Sequence, residues 1–81
     1  MVIVWDERKR VANLAKHGID FADIGGDFFA SAVVRPARGG RFAAFGTMTR
    51  PIAVIFLPLG DEGLSIVSAR PAGRKERRLI P

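Results

Sequence analysis

The sequence predicts an α+β fold in which helices pack on one face of a mostly antiparallel sheet, with the element order β-α-α-β-β-β-β-α. In the first third of the chain, apolar residues recur at helical spacing, and from residue 31 onwards they recur with a period of two. Turn sequences at 38–40 and 60–63 separate consecutive strands, as in an antiparallel meander. With 81 residues and no linker-like segment, we expect a single domain covering residues 1–81.

The first third of the chain predicts one strand and two helices. A short β-rich run, Val2–Trp5, is followed by Asp6, which is suited to cap a helix that ends at Gly18. The helical period predicts an inward face made of Val11, Leu14 and Ala15. It places Asp6, Arg10, Asn13 and His17 on a different, polar side. Asp20 is expected to open a second helix whose buried face carries Phe21, Ile24 and Phe28.

The rest of the chain predicts four strands and a short helix. The strands are expected at 31–35, 41–46, 52–57 and 64–70, and the helix within 72–80. The segment 52–57 is apolar on both faces and is therefore the candidate central strand. Alternation in the last strand places Leu64, Ile66, Ser68 and Arg70 on one face. The predicted core includes Leu14, Phe28, Val54 and Phe56.

The charge is distributed unevenly along the chain. Residues 1–34 carry four basic and five acidic side chains, whereas residues 35–81 carry nine basic and three acidic ones. Such asymmetry indicates a polyanionic partner, of which nucleic acid is the commonest. An anionic membrane surface is the weaker interpretation, because no basic stretch has a long apolar helical face. The absence of cysteine suits a reducing compartment, so we expect a cytoplasmic protein.

The single histidine, His17, has two interpretations. It could act as a general acid or base, since imidazole titrates near neutral pH. Alternatively, Lys16 and His17 are simply cations placed favourably at a helix C-terminus. One histidine without cysteine does not predict a metal site, and no glycine pattern fits a nucleotide, so we expect no cofactor.

Arginines lie at the predicted strand ends. Arg41 begins one strand, Arg70 ends another, and Arg50 lies in a loop. Guanidinium groups bind phosphate through two parallel hydrogen bonds and stabilise charge that develops on it. This pattern alone favours nucleic-acid binding over nuclease chemistry, and it leaves open that the basic run 74–78 is a solvated tail.

Three segments resemble one protein family. The stretch "VWDERKRVANLAKHGIDFADIGGDFF" resembles the opening of the BrnT family, through its W-D, N-x-x-K-H-G and paired phenylalanines. "GRFAAFG" resembles the family's "ERF-x-A-x-G" strand, with Gly40 where the family has an acid. "SAR" followed by "KER" resembles its C-terminal signature, and together the motifs cover nearly the whole chain.

The resemblance implies a RelE-like endoribonuclease toxin of a type II toxin–antitoxin pair. Such toxins cleave RNA without a metal by making the 2′-hydroxyl attack the adjacent phosphate, and a cognate antitoxin, here BrnA-like, inhibits them in a hetero-oligomer. The implied roles are a phosphate clamp of Arg41 and Arg70, and proton transfer by His17 or Lys75. Contacts to the RNA backbone would come from Lys16, Arg50, Arg74 and Arg77. The alternatives are a non-catalytic RNA- or DNA-binding module and a protein-interaction domain with an acidic partner.

Overall fold

The computed structural model describes all 81 residues, which form five strands, three α-helices and two short 3-10 turns. The strands are β1 (Val2–Trp5), β2 (Val33–Pro36), β3 (Phe42–Thr47), β4 (Pro51–Leu59) and β5 (Gly63–Pro71). The helices are α1 (Glu7–His17), α2 (Gly26–Ser31) and α3 (Arg74–Arg77), and the 3-10 turns are Phe21–Asp23 and Arg38–Gly40. None of the helices is long and apolar enough to cross a membrane.

The strands form one mixed sheet in the order β1-β5-β4-β3-β2. The chain from β2 to β5 runs as an antiparallel meander, and β1 joins the sheet by pairing parallel to β5. β4 is the middle strand, as its apolar sequence predicts. The α+β class is confirmed.

The ends of α1 follow the sequence prediction. The Asp6 side chain accepts a hydrogen bond from the backbone N–H of Arg8 at 2.8 Å. At the other end, Gly18 adopts a left-handed conformation with φ of 70° and donates its N–H to the carbonyl of Leu14. These two caps define a helix of three turns.

The predicted inward face of α1 is wrong. Val11 is 55% exposed and Leu14 is 40% exposed, and Ala15 is exposed as well. Asn13 is the one buried residue of α1, and its side chain bonds the backbone of β5. The helix therefore docks beside β5 through a buried amide, and the side chains of the following segment fill the core that the apolar stripe was expected to fill.

That following segment is not one continuous helix. Asp20 caps the 3-10 turn by accepting a hydrogen bond from the N–H of Ala22, and the backbone is extended at Ile24 and Gly25 before α2 begins. The predicted apolar residues are nonetheless buried, namely Phe21, Ile24 and Phe28. Burial is therefore achieved by a turn and a short helix rather than by one helical face.

The sheet has an apolar cluster on each face. The larger cluster joins Phe21, Ile24 and Phe28 to Val54 and Phe56, so the core prediction is confirmed for every residue except Leu14. The smaller cluster consists of Ala43, Phe45 and Ala53, with Leu79 and Ile80 packed against it. Helices were expected on one face only, but the segment that follows α3 packs on the second face.

A register shift in β5 changes which residues face the core. Ser68 pairs with Ile55 and Ile66 pairs with Phe56, so Val67 has no partner on β4. Ala69 joins the larger cluster, whereas the alternation had placed Ser68 and Arg70 on that face. Because neighbouring strand residues point to opposite faces, Arg70 lies on the second face of the sheet. The predicted orientation of Arg70 is therefore wrong, because the bulge shifts the alternation of β5 by one residue.

Candidate nucleic-acid interface

A groove of about 450 Å³ lies between α1 and β5. It is lined by Lys9, Ala12, Asn13, Lys16, His17, Val67, Ser68 and Arg70. The structure thus brings together three residues that the sequence predicted for the site, Lys16, His17 and Arg70. Four side chains of the groove can carry positive charge and none is acidic, so it is suited to an anionic ligand.

The walls of the groove are set by chain connectivity and by one amide. β1 pairs with β5 only from Gly63 to Ile66, which leaves the later part of β5 without a strand neighbour on that side. α1 lies there, and the Asn13 side chain accepts a hydrogen bond from the N–H of Ala69 and donates one to the carbonyl of Ile19. Lys9 and Lys16 are seven residues apart, which places them two turns apart on one side of the helix.

Arg70 forms a two-pronged ion pair with Glu76. Its Nη1 donates to Oε1 at 2.6 Å and its Nη2 donates to Oε2 at 2.9 Å. Glu76 also accepts a hydrogen bond from the N–H of Gly73 at 2.7 Å. Chiefly because of the Arg70 hydrogen bonds, the pKa of the Glu76 carboxyl falls to about 2 and the pKa of Arg70 rises. Both groups therefore stay charged at neutral pH.

His17 is the last residue of α1 and is half-buried in the groove. Its backbone carbonyl accepts a hydrogen bond from Nη2 of Arg50 at 2.7 Å, while its imidazole has no hydrogen-bond partner in the chain. Arg50 thus satisfies a carbonyl at the C-terminus of α1, a role that the sequence did not predict. The imidazole remains available to a ligand in the groove.

Arg41 does not line the groove. Arg70 pairs with Ala53 of β4, which pairs with Phe45 of β3, and Arg41 precedes Phe45 by four residues. Strand rise and strand spacing then separate the Cα atoms of Arg41 and Arg70 by about 17 Å. Arg41 therefore lies apart from the groove that Arg70 lines, and the two-arginine clamp on one phosphate stays a prediction.

Strand alternation, continued back from β3 by one residue, would place Arg41 on the same face of the sheet as Arg70. Ala43 and Ala53 both belong to the second cluster, and cross-strand partners share a face. Arg41 is two residues from Ala43, and Arg70 is the partner of Ala53. Between the two arginines this face carries the smaller apolar cluster, which Leu79 and Ile80 cover.

The remaining predicted cations lie on α3. Arg74, Lys75 and Arg77 are exposed, none lines the groove, and none forms an ion pair. The Arg70–Glu76 pair connects α3 to the end of β5. Lys75, a predicted proton-transfer residue, therefore lies outside the groove itself.

Sequence reasoning missed four residues of this region: Lys9, Asn13, Ser68 and Glu76. The spacing of Lys9 from Lys16 was a usable signal, and so was Glu76 as the one acid within a basic run. Ser68 was assigned to the wrong face because the bulge at Val67 has no clear sequence signature. Neither the groove nor any other part of the structure has a group of three or more His, Cys, Asp or Glu side chains placed to hold a metal ion.

Comparisons with known proteins agree on one family. The family described as "Ribonuclease toxin, BrnT, of type II toxin-antitoxin system" matches residues 5–76. The crystal structure of the Brucella abortus ribonuclease toxin BrnT matches with a TM-score of 0.84 and 50% sequence identity, over 91% of this chain and 99% of that chain. No curated protein sequence matches. The chain therefore belongs to the BrnT family of ribonuclease toxins of type II toxin–antitoxin systems.

Proposed function

We propose that this chain is a RelE-like endoribonuclease that cleaves RNA in the groove between α1 and β5, without a metal ion. The observation that carries the proposal is the convergence of Lys9, Lys16, His17 and Arg70 from two elements on one groove. The cations can neutralise a phosphate, and the imidazole is a candidate general acid or base. Family membership supplies the substrate class, RNA.

The proposed reaction is an internal transesterification. The 2′-oxygen of a ribose forms a bond to the adjacent phosphorus while the bond from phosphorus to the 5′-oxygen breaks. The products are a 2′,3′-cyclic phosphate and a 5′-hydroxyl, with one proton removed from the 2′-hydroxyl and one delivered to the leaving oxygen. Because the nucleophile belongs to the RNA, the protein contributes mainly positioning and charge stabilisation.

Three residues of the groove have proposed roles. Arg70 binds the scissile phosphate and stabilises the charge of the phosphorane, and Lys16 holds the same or the neighbouring phosphate. His17 transfers a proton, and it is preferred to Lys75 because the imidazole lines the groove and the ammonium does not. Beyond the groove, Arg41, Arg74 and Arg77 bind the RNA backbone. Arg50 fixes the backbone of His17, and it can also reach RNA because its side chain is exposed.

We also propose that the chain is a single domain that acts in the cytoplasm and is inhibited there by a cognate BrnA-like antitoxin within a hetero-oligomer. A type II system implies a protein antitoxin. An acidic antitoxin segment would be attracted to the positive groove, where it would exclude RNA.

The test is cleavage of an end-labelled single-stranded RNA by the purified protein in EDTA. We expect fragments that carry cyclic phosphates, and no cleavage of DNA of the same sequence, which lacks the 2′-hydroxyl. Salt-sensitive RNA binding without fragments would support the binding-module alternative instead. Addition of the antitoxin encoded beside the toxin should stop cleavage, and continued cleavage in a stable complex would contradict the inhibition.

A further inference from the structure

The hydrogen bonds of Arg70 leave one edge of its guanidinium free. Nη1 and Nη2 both donate to the Glu76 carboxylate, and Nη1 also donates to the carbonyl of Pro71 at 3.3 Å. Nε has no hydrogen-bond partner, and Nη2 has a second proton without one. The Nε–H and the outer Nη2–H point the same way, and this pair forms the second two-pronged donor edge of a guanidinium.

We propose that Glu76 is a positioning residue for RNA cleavage, which holds the end of the Arg70 guanidinium so that the free edge is presented to phosphate in the groove. The inference rests on the proposed function and adds a residue to it. Glu76 would touch no RNA and would act only through Arg70.

The surroundings of the pair support this assignment. The pair is only partly exposed, at 39% for the Arg70 side chain and 26% for that of Glu76. Glu76 is fixed in turn by the N–H of Gly73 at the start of α3, so the carboxylate cannot swing freely. An arginine without such a partner has many rotamers, and a phosphate must then order it on binding. Pre-organisation removes that cost before RNA arrives.

Glu76 also bonds selectively to one of the basic residues near it in the sequence. Residues 70–78 contain five basic side chains and a single acid, and the acid is bonded to the only arginine of that segment that lines the groove. Arg74, Lys75 and Arg77 are exposed and have no carboxylate partner. A helix cap alone would require only the hydrogen bond to Gly73, whereas the second carboxylate oxygen is directed at Arg70.

The main experiment is a double-mutant cycle of Glu76→Gln and Arg70→Ala, measured by RNA cleavage kinetics. We expect Glu76→Gln to lower kcat by about 100-fold, because misplacing a reacting group by roughly 1 Å has that effect. KM should change by no more than about threefold, since the contact matters most in the transition state. In the Arg70→Ala background, adding Glu76→Gln should change nothing further.

A matched control is Asp20→Asn, which removes another partly exposed ion pair, that of Asp20 with Arg10, outside the groove. Its folded fraction should cleave at the parental rate. Unchanged kcat in Glu76→Gln, or faster cleavage, would overturn the inference, and the latter would make Glu76 a competitor of phosphate. An equal loss from Glu76→Gln with and without Arg70 would also overturn it, because Glu76 would then not act through Arg70.

An NMR measurement separates failure of the inference from failure of the proposed function. The side-chain Nε–H signal of Arg70 should show a rigid group in the parent protein and a mobile one in Glu76→Gln, without any RNA present. If the parent cleaves no RNA, the proposed function is wrong, and the NMR result still decides whether Glu76 fixes Arg70. If cleavage requires Arg70 but its mobility is the same in both proteins, the inference alone is wrong.

Discussion

The side-chain oxygen of Asn13 in α1 accepts a hydrogen bond from the backbone N–H of Ala69 in β5, at 3.0 Å. The amide nitrogen of the same side chain donates to the carbonyl of Ile19, also at 3.0 Å. Ala69 directly precedes Arg70, and Asn13 lies one helical turn before His17. One buried amide therefore fixes the two walls of the basic groove relative to each other.

Asn13→Ala should destabilise the fold by about 2–4 kcal/mol, because it leaves a buried N–H and a buried C=O without partners. Chemical denaturation in urea measures this directly. Val11→Ala is the control on the exposed side of the same helix and should change the free energy of unfolding by no more than about 0.5 kcal/mol. Equal effects of the two substitutions would show that α1 docks through its apolar stripe after all.

Phe56→Ala should cost about 3–5 kcal/mol, since the ring is buried in the larger cluster and leaves a cavity when removed. The ring also packs edge-on against Phe29, with centroids 5.4 Å apart, and stacks with Phe42 at 5.9 Å. Leu14→Ala is the comparison, because the original sequence pattern placed both residues in the core. The exposed position of Leu14 predicts a loss of less than about 1 kcal/mol. If thermal melting shows that Leu14→Ala destabilises the protein as much as Phe56→Ala does, the observed packing is contradicted.

The sequence predicted those elements whose patterns are local. The caps at Asp6 and Gly18 and the central position of β4 follow from single residues or from a continuous apolar run, and all three are confirmed. The inward face of α1 was predicted wrongly, because a buried amide that bonds a distant strand leaves no periodic pattern in the sequence. Hydrogen bonding between Asn13 and Ala69 spans 56 positions of the chain.

The candidate site was predicted in part for the same reason. Motif resemblance selected His17 and Arg70, and the structure places both in one groove. The orientation of Arg70 depends on the bulge at Val67, which changes the alternation of β5 within one residue. The separation of Arg41 from Arg70 depends on strand register, which sequence patterns do not determine.

The Arg70–Glu76 pair should make stability depend on pH below the usual range of a glutamate. Mainly the hydrogen bonds from Arg70 lower the pKa of Glu76 from 4.5 to about 2 in the folded chain. The unfolded chain therefore takes up this proton first as the pH falls. The contribution is complete above about pH 4.5 and is lost between pH 4.5 and 2. Partial exposure of both side chains limits it to about 1–2 kcal/mol.

The measurement is the difference in unfolding free energy between the parent and Glu76→Gln as a function of pH. The pKa values of Glu7 and Asp20 are also lowered, so both groups make stability depend on pH. Their contributions are the same in the parent and in Glu76→Gln and cancel in the difference. The difference should be constant above pH 5 and should shrink towards pH 2. A difference that is independent of pH would mean that Glu76 is not ionised against Arg70.

His17→Gln should lower the rate of RNA cleavage by about 10²–10⁴-fold if the imidazole transfers a proton. Glutamine keeps a hydrogen-bonding side chain of similar length but cannot titrate. Melting curves check the fold, and the hydrogen bond from Arg50 to the His17 backbone is unaffected by the change. A loss below tenfold in a folded variant would leave His17 with its other predicted role, as a cation at the end of α1.

Arg70→Lys separates charge from geometry at the proposed phosphate contact. Lysine keeps the positive charge but lacks the planar donor edges, so it cannot bind Glu76 and phosphate through two pairs of parallel hydrogen bonds. We expect Arg70→Ala to abolish toxicity and to leave the purified protein only a slow residual cleavage, and we expect Arg70→Lys to lose at least about 10²-fold of the cleavage rate. Arg78→Ala should alter only the salt sensitivity of RNA binding, since Arg78 is exposed and lies outside the groove. Cleavage by each variant at two salt concentrations tests this, with melting curves as the control for folding. If folded Arg70→Ala cleaves as fast as the parent, the basic run from Arg70 to Arg78 contributes only charge.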